Sequence, residues 1–299
     1  MSYKIYKKRK WRLAMSDKKN TLLSVEVFPP KKDDEFEGVY AVLDQLKLLE
    51  PEFISVTYGA GGSRSKKTVE IASYIQNTLG IKAIAHMTCV GNKREDIARV
   101  AGELKEAGVC NILALRGDRP SYMTDEQFEG RDFTYASQLV GYVKSIAPQM
   151  HVAGACYPEK HYEAASMDED LDNLLLKVNA GCESLISQLF MDNDKFYSFL
   201  ELARKKGITV PIHAGVMPIT SMKQVDTSIS LSGTSIPREY SGIIEKYSTN
   251  AEDFRKASVD FAIRQIIDLV EHGVDGVHIY SMNKPKLTKQ IMDAVKGQA

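Results

Sequence analysis

One pattern constrains this 299-residue chain more than any other: a stretch with helical apolar spacing, then a glycine, then a short apolar run. It occurs at Gly80 before residues 81–85, Gly108 before 109–115, Gly181 before 184–189, Gly207 before 208–212 and Gly273 before 276–280. Glycine fits just past a helix end because the left-handed conformation there carries no Cβ penalty. Each of these glycines therefore marks a turn from helix into strand.

The helices are supported by side-chain spacing. Ile97, Val100, Ala101 and Leu104 share one face, as do Phe196, Phe199, Leu200 and Ala203. The second of these helices opens near Asp192-Asn193-Asp194 and closes with Arg204-Lys205-Lys206, the charge order that a helix dipole favours. Three more strands fit the gaps: 22–28, stopped by Pro29-Pro30; 53–57, after Pro51; and 151–155, after Pro148. Strict alternation implies a parallel sheet. Eight repeats at this length favour a single-domain α/β chain closed into a (β/α)8 (TIM) barrel over an open doubly wound sheet. The stretch 215–250 interrupts the rhythm between strands seven and eight, and with Met217-Pro218-Ile219-Thr220 and Gly233 it reads as an extended, substrate-covering βα loop.

Composition narrows the partners. The 39 basic and 39 acidic side chains cancel, which argues against a nucleic-acid groove and for a small-molecule ligand. Cys89, Cys110, Cys156 and Cys182 lie far apart with no CxxC pair, so neither a disulfide framework nor a zinc site is indicated and a reducing cytoplasm is expected. No apolar run reaches the ~20 residues of a membrane helix, so a soluble protein is expected. Residues 1–20 are basic, with Lys7-Lys8-Arg9-Lys10, and read as a flexible arm, an anchor or a start placed ahead of Met15; residues 21–299 form the barrel.

In a closed parallel barrel the residues after each strand converge on one face, where such folds place their chemistry. Strand one carries Glu26. A carboxylate in an apolar strand is costly to bury, so it is either paired structurally with a lysine or arginine or held as an acid of raised pKa. Strand two ends in Thr57-Tyr58-Gly59-Ala60-Gly61, a ligand loop or an ordinary glycine-rich turn. Strand three ends at His86, a structural hydrogen-bonder or a ligand contact. Strand four ends in Arg116-Gly117-Asp118, with a surface Arg–Asp pair as the plain alternative. Strand five gives Tyr157-Pro158-Glu159 with His161, strand six Gln188, and strand eight His278 and Tyr280. The acidic pair Glu26 and Asp118 is the expected centre. No strand-end lysine suits Schiff-base chemistry, apart from Lys284 in a loop, and no His/Asp cluster suits a metal.

This set of strand ends resembles the methylenetetrahydrofolate reductase family. Eight pieces fall in the family's order: the Glu26, Thr57, His86, Arg116, Tyr157 and Gln188 segments, Met217-Pro218-Ile219, and Tyr280-Ser281-Met282-Asn283. The resemblance implies a noncovalent FAD, reduced by NADH or NADPH, that passes hydride to 5,10-methylenetetrahydrofolate. It implies that Glu26 is the acid opening the folate ring and that Asp118 is a negative charge beside flavin and folate. FAD contacts carry over to Thr57, His86, Arg116, Gly117, Asp118, Tyr135, Ala136, Ala155, Tyr157, His161, Asp170, Asn173 and Lys177. Folate contacts carry over to Glu26, Asp118, Gln188, Tyr280 and Lys284. Arg116 and Lys177 would serve the pyrophosphate, and Asp170 the ribose or adenine.

Two positions depart from the family. Met222 stands where relatives place a stacking phenylalanine, and Leu176 where some place an arginine. Met222 motivates a second reading, in which an iron–sulfur partner protein supplies the electrons. A third reading is a flavin-free folate methyltransferase barrel. The chain ends a helix after strand eight, so no C-terminal regulatory domain is expected; a homo-oligomer remains open.

Overall fold

The computed structural model describes residues 21–30, 36–58, 62–119 and 123–297. The basic arm at 1–20 lies outside them, as do Gly59, Ala60 and Gly61 of the strand-two loop.

Eight strands run parallel, in chain order, around a closed barrel. They are β1 (Leu22–Val27), β2 (Phe53–Val56), β3 (Lys82–Thr88), β4 (Asn111–Leu115), β5 (His151–Cys156), β6 (Ser184–Ser187), β7 (Ile212–Val216) and β8 (Gly276–Tyr280). β8 pairs back onto β1, with Leu22 opposite Gly276 and Glu26 opposite Tyr280. The helices are α1 (Phe36–Lys47), α2 (Gly62–Ser73, continued by a π-helical turn at Tyr74–Thr78), α3 (Arg94–Glu106), α4 (Asp125–Glu129), α5 (Ala136–Ile146), α6 (Met167–Asn179), α7 (Asn193–Lys205), α8 (Met222–Ser232), α9 (Arg238–Tyr247), α10 (Ala251–Glu271) and α11 (Pro285–Lys296). Among the described residues no helix is long and apolar enough to cross a membrane.

The five punctuating glycines all have positive φ, from 65° at Gly273 to 112° at Gly181. The apolar faces of α3 and α7 are buried where the spacing placed them. Asp192 caps α7 by accepting the Asp194 N–H at 2.9 Å.

Strand seven is the one substantial shift. The expected 208–212 is a connector, and the strand is Ile212–Val216. Pro211 has no N–H to give a ladder. The carbonyls of Ile208 and Val210 are taken by Arg204 Nη1, at 2.7 and 3.0 Å. Arg204 Nη2 and the Ile212 N–H both meet Asp275, each at 3.0 Å, so the ladder starts only there.

Alternation along each strand sends Val25, Val27, Val277 and Ile279 outward to the helices. Phe53, Ile84, Leu113, Ala153 and Ile186 face inward as one layer of the barrel's filling. Below and beside them the interior is polar: Ser24, Ser55, His213 and His278 are all buried. The His213 ring fills the space over Gly276, where a Cβ would lie 2.1 Å from Nδ1. Phe53 packs edge-on to His213 and stacks on His278, each with centroids at 5.4 Å. Burial pushes His213 down to about 4 and His278 to about 3, so both are neutral.

The 215–250 excursion holds α8 and α9 and builds its own apolar cluster, with Ile219, Val225, Tyr240 and Ile243 on Phe254 and Phe261 of α10. Its start and its middle, between α8 and α9, are tied to the rim. Lys284 Nζ donates to Thr220 Oγ1 at 3.0 Å, and Glu159 accepts from Thr234 Oγ1 at 3.0 Å and the Ser235 N–H at 3.1 Å.

Two outcomes follow from this interior. Gly276→Ala forces a methyl into the His213 ring, and overpacking of this kind costs about 1–3 kcal/mol. Urea unfolding should show a loss at the top of that range, and the double variant Gly276→Ala/His213→Ala should be less destabilised than the summed single variants. Strictly additive losses would remove the contact from the account. Secondly, an unfolded histidine protonates near pH 6.5, whereas these two stay neutral to about 4 and 3. Their stabilising effect is present above pH 6.5 and is lost as pH falls below it, by about 2 kcal/mol per histidine at pH 5. His213→Gln should flatten the fall by about half; equal urea midpoints for the parent chain at pH 7 and pH 5 would contradict it.

Candidate active site

Glu26 is the second-last residue of β1 and points into the barrel, opposite Ser55 of β2 and Tyr280 of β8. Its side chain is 18 % exposed. His86 Nε2 lies 3.4 Å and His278 Nε2 3.8 Å from Glu26 Oε2. A polar line continues below: Ser55 Oγ is 3.5 Å from that oxygen and 3.1 Å from His278 Nε2, and His278 Nδ1 is 2.8 Å from Ser24 Oγ. No lysine or arginine pairs with Glu26 among the described residues.

The electrostatics follow from this setting. Burial raises the Glu26 carboxyl pKa, and His86 and the Ser55 hydroxyl oppose it less strongly. Burial also drives His86 down to about 4, against the pull of Glu26. Burial thus favours the uncharged form of both members of the pair. Neutral His278 has one N–H; placed on Nε2 it donates to Ser55, leaving Nδ1 to accept from Ser24 and the Ser55 hydroxyl to donate to Glu26. Across the mouth, Tyr280 donates to the Ser187 carbonyl at 2.7 Å, over Gly215. Burial raises its phenol pKa well above the usual value.

A cavity of about 550 Å³ opens from Glu26 along the ends of β3 to β6 and the N-terminal turns of α5 and α6, within the range of small-molecule sites. On the β4 side are Arg116, Gly117 and Asp118, with Tyr135 and Ala136 at the start of α5. Gly117 has φ 82°, and its Cβ position lies 3.1 Å from the Thr88 side chain, so only glycine fits this approach. On the β5 side are Ala155, Tyr157 and His161, and from α6 come Asp170, Asn173 and Lys177. Asp170 accepts the His161 N–H at 3.0 Å, and Tyr157 meets the His161 ring edge-on at 4.7 Å. Lys177 donates to the Ala155 carbonyl at 2.7 Å, and desolvation holds its pKa below the usual lysine value.

The fold thus gathers Glu26, His86, Arg116 to Asp118, the α5 and α6 residues, Gln188 and Tyr280 around one cavity. Two expected members do not line it: Thr57, whose carbonyl accepts from Thr68 at 3.1 Å, and Lys284, which is tied to Thr220. The plain Arg116–Asp118 pair is not formed. Arg116 pairs with Glu163 and donates to the Tyr162 hydroxyl at 2.8 Å. Tyr162, Glu163 and Ser232 line the cavity and were not read from the sequence. The His161-Tyr162-Glu163 run, between a strand and a helix, was the signal for the first two. Met222 packs against the excursion's apolar cluster rather than into the cavity. Among the described residues no group of three His, Cys, Asp or Glu side chains could hold a metal ion.

The chain is similar to known proteins over nearly its whole length. A model of the family described as methylenetetrahydrofolate reductase matches residues 12–296. The Arabidopsis thaliana protein "Methylenetetrahydrofolate reductase (NADH) 1" is 33% identical over 285 residues, 91% of this chain and 48% of that one. The "5,10-methylenetetrahydrofolate reductase" of Pectobacterium carotovorum is 31% identical over 269 residues, 90% of this chain and 88% of that one. The Escherichia coli protein of the same name is 30% identical with the same coverage. The chain therefore spans about half the plant relative and most of each bacterial one. Among solved structures, a Clostridium thermocellum protein described as binding two copies of 5-methyl-5,6,7,8-tetrahydrofolic acid is 16% identical, with a TM-score of 0.67 over 97% of this chain and 98% of that one. That likeness speaks for the shared barrel. With the family match covering the barrel and its strand ends, the chain belongs to the methylenetetrahydrofolate reductase family.

Proposed function

We propose that the chain reduces 5,10-methylenetetrahydrofolate to 5-methyltetrahydrofolate, with noncovalently held FAD as hydride carrier and NADH or NADPH as electron source. One observation carries this reading: a desolvated carboxyl of raised pKa, Glu26, faces the same cavity as the cations Arg116 and Lys177. An uncharged acid suits folate activation, and the cations suit a pyrophosphate.

The residues fit FAD. The Lys177 ammonium is largely desolvated and meets a carbonyl but no carboxylate within ion-pair distance among the described residues. An ammonium so placed fits an anionic ligand group. Gly117 lets the backbone come close, Asp170 offers a carboxylate to ribose or adenine donors, and Tyr135 offers an exposed ring. When bound, the flavin supplies a hydride to the one-carbon unit.

The chain's own groups then act on the folate. Glu26 gives its proton to a nitrogen of the bridged five-membered ring, so that the ring opens to a 5-iminium cation able to accept hydride. Burial favours its protonated form by raising its pKa, as an acid of this kind requires. Ser55 fixes the carboxyl's orientation through its hydroxyl. Asp118, exposed at the rim, supplies negative charge to the cation. Gln188 and Tyr280 orient the pterin, with Tyr280 fixed by its bond to Ser187. The excursion covers the open side. The word NADH in the plant relative's name supports a nicotinamide donor over an iron–sulfur partner.

The purified chain should be yellow, or take up FAD, and should oxidise NADH with menadione. Protein that stays colourless and inactive with added FAD points instead to a flavin-free folate methyltransferase barrel. Glu26→Gln should slow folate reduction by about 10²–10⁴-fold while leaving flavin reduction by NADH near the parent rate. Stopped-flow measurement of the two half-reactions decides this, and equal loss in both refutes the role of Glu26. The pH profile gives a second check. Glu26 acts as an acid whose pKa is raised above the usual glutamate value, so folate reduction should fall as pH rises through that raised pKa. Glu26→Gln should lack this limb, and flavin reduction should lack it in both proteins.

A further inference from the structure

Arg116 is engaged before any ligand is considered. Its Nη1 pairs with Glu163, and its Nη2 donates to the Tyr162 hydroxyl at 2.8 Å. The Tyr162 ring lies 5.8 Å from the guanidinium carbon and stacks on His161 at 4.5 Å. The two partners differ in freedom. The Arg116 side chain is 19% exposed, whereas that of Glu163 is 49% exposed, in the short connection between β5 and α6. The carboxylate can turn out to water while the guanidinium cannot.

The charge balance makes this pairing matter. Among the described residues the cavity is lined by five carboxylates, Glu26, Asp118, Glu163, Glu169 and Asp170, but by one arginine, Arg116, and one lysine, Lys177. Burial raises the Glu26 pKa and so disfavours its charged form. While Glu163 stays in place, half of the cationic charge is cancelled, and a ligand with a negative diphosphate gains little from Arg116.

We propose that Glu163 is an exchangeable counter-ion that occupies the phosphate seat of Arg116 and gives it up to a phosphate-bearing cofactor. Glu163 thereby sets the affinity and release rate of that part of the ligand. The proposal rests on the FAD reading above. Binding exchanges one carboxylate–guanidinium pair for one phosphate–guanidinium pair. The net gain is therefore the difference between them, while the departing carboxylate is resolvated. Tyr162 stays with the arginine in either state, because its hydroxyl is a neutral acceptor.

The test is a flavin ladder on the full chain. Glu163→Gln removes the charge but keeps an amide oxygen for Arg116. It should bind FAD about threefold to tenfold more tightly than the parent at low salt, the range expected for a half-exposed pair. Riboflavin, which has no phosphate, should bind both proteins equally. Dilution of the FAD-loaded chain, followed by recovery of flavin fluorescence, should show slower release from Glu163→Gln, and the difference should shrink in about 0.5 M KCl, where charges are screened over roughly half the distance. Adding Arg116→Ala should erase the gain. If Glu163 instead positions Arg116, Glu163→Ala weakens FAD binding and Glu163→Gln restores it only to the parent level, which overturns the counter-ion role. An equal gain for riboflavin and FAD also overturns it. A parent chain that binds neither flavin overturns the FAD reading and this inference together, so the two failures are distinct.

Discussion

The pairing of β8 with β1 is the constraint on which the site depends. It closes the barrel and, in the same register, sets Tyr280 opposite Glu26 and His278 opposite Ser24. Side chains alternate across a strand, so a slip of one residue would turn Glu26 out toward the helices and bring Val25 or Val27 into the mouth. The outward positions Val25, Val27, Val277 and Ile279 are fully buried against the helical layer, and their burial holds the register. The apolar shell outside the barrel thus specifies where a carboxyl stands inside it.

Inside, the register brings polar groups together at a cost the fold meets locally. Ser24, His278 and Ser55 form a line of hydrogen-bonding atoms that reaches Glu26 from below, and His86 stands beside it. None of these neighbours carries a fixed positive charge, so His86 and the Ser55 hydroxyl offset the desolvation of the carboxyl only in part, and its pKa rises. An arginine in the place of His86 would stabilise the fold as an ion pair but would hold the acid ionised. Neutral partners are therefore what make a reserve of acid possible. Gly276 and Gly215 belong to the same arrangement, because the rings of His213 and Tyr280 occupy the space their side chains would need.

How much of this was legible depends on how local each cause is. The punctuating glycines could be read because the left-handed turn after a helix is a property of a few consecutive residues. Glu26 could be read because a charge inside an apolar strand stands out in one dimension. The start of β7 could not. Its four-residue displacement comes from Arg204, which reaches from α7 to the Ile208 and Val210 carbonyls, and from Asp275, which meets Ile212 from the turn just before β8. Tyr162 and Glu163 were missed for the same reason, since their relevance comes from the approach of the β5 connection to Arg116 after β4, 47 residues away in sequence. Lys284, expected from resemblance to meet substrate, is instead bonded to Thr220, a partner 64 residues distant that spacing cannot announce.

The two central carboxylates show how one cavity can hold two opposite tasks. Glu26 lies inside the strand layer, where water is excluded and the neutral form is preferred. Asp118 lies one residue beyond Gly117 at the exposed rim. The difference is position along the barrel axis rather than residue type, and it follows from where each strand stops: β1 continues past Glu26 to Val27, whereas β4 ends at Leu115, three residues before Asp118. Depth along the barrel axis therefore separates the two carboxylates for which acid and counter-charge are proposed. The excursion after β7 joins the same cavity: tied to Lys284 near its start and to Glu159 between α8 and α9, it brings Ser232 to the lining.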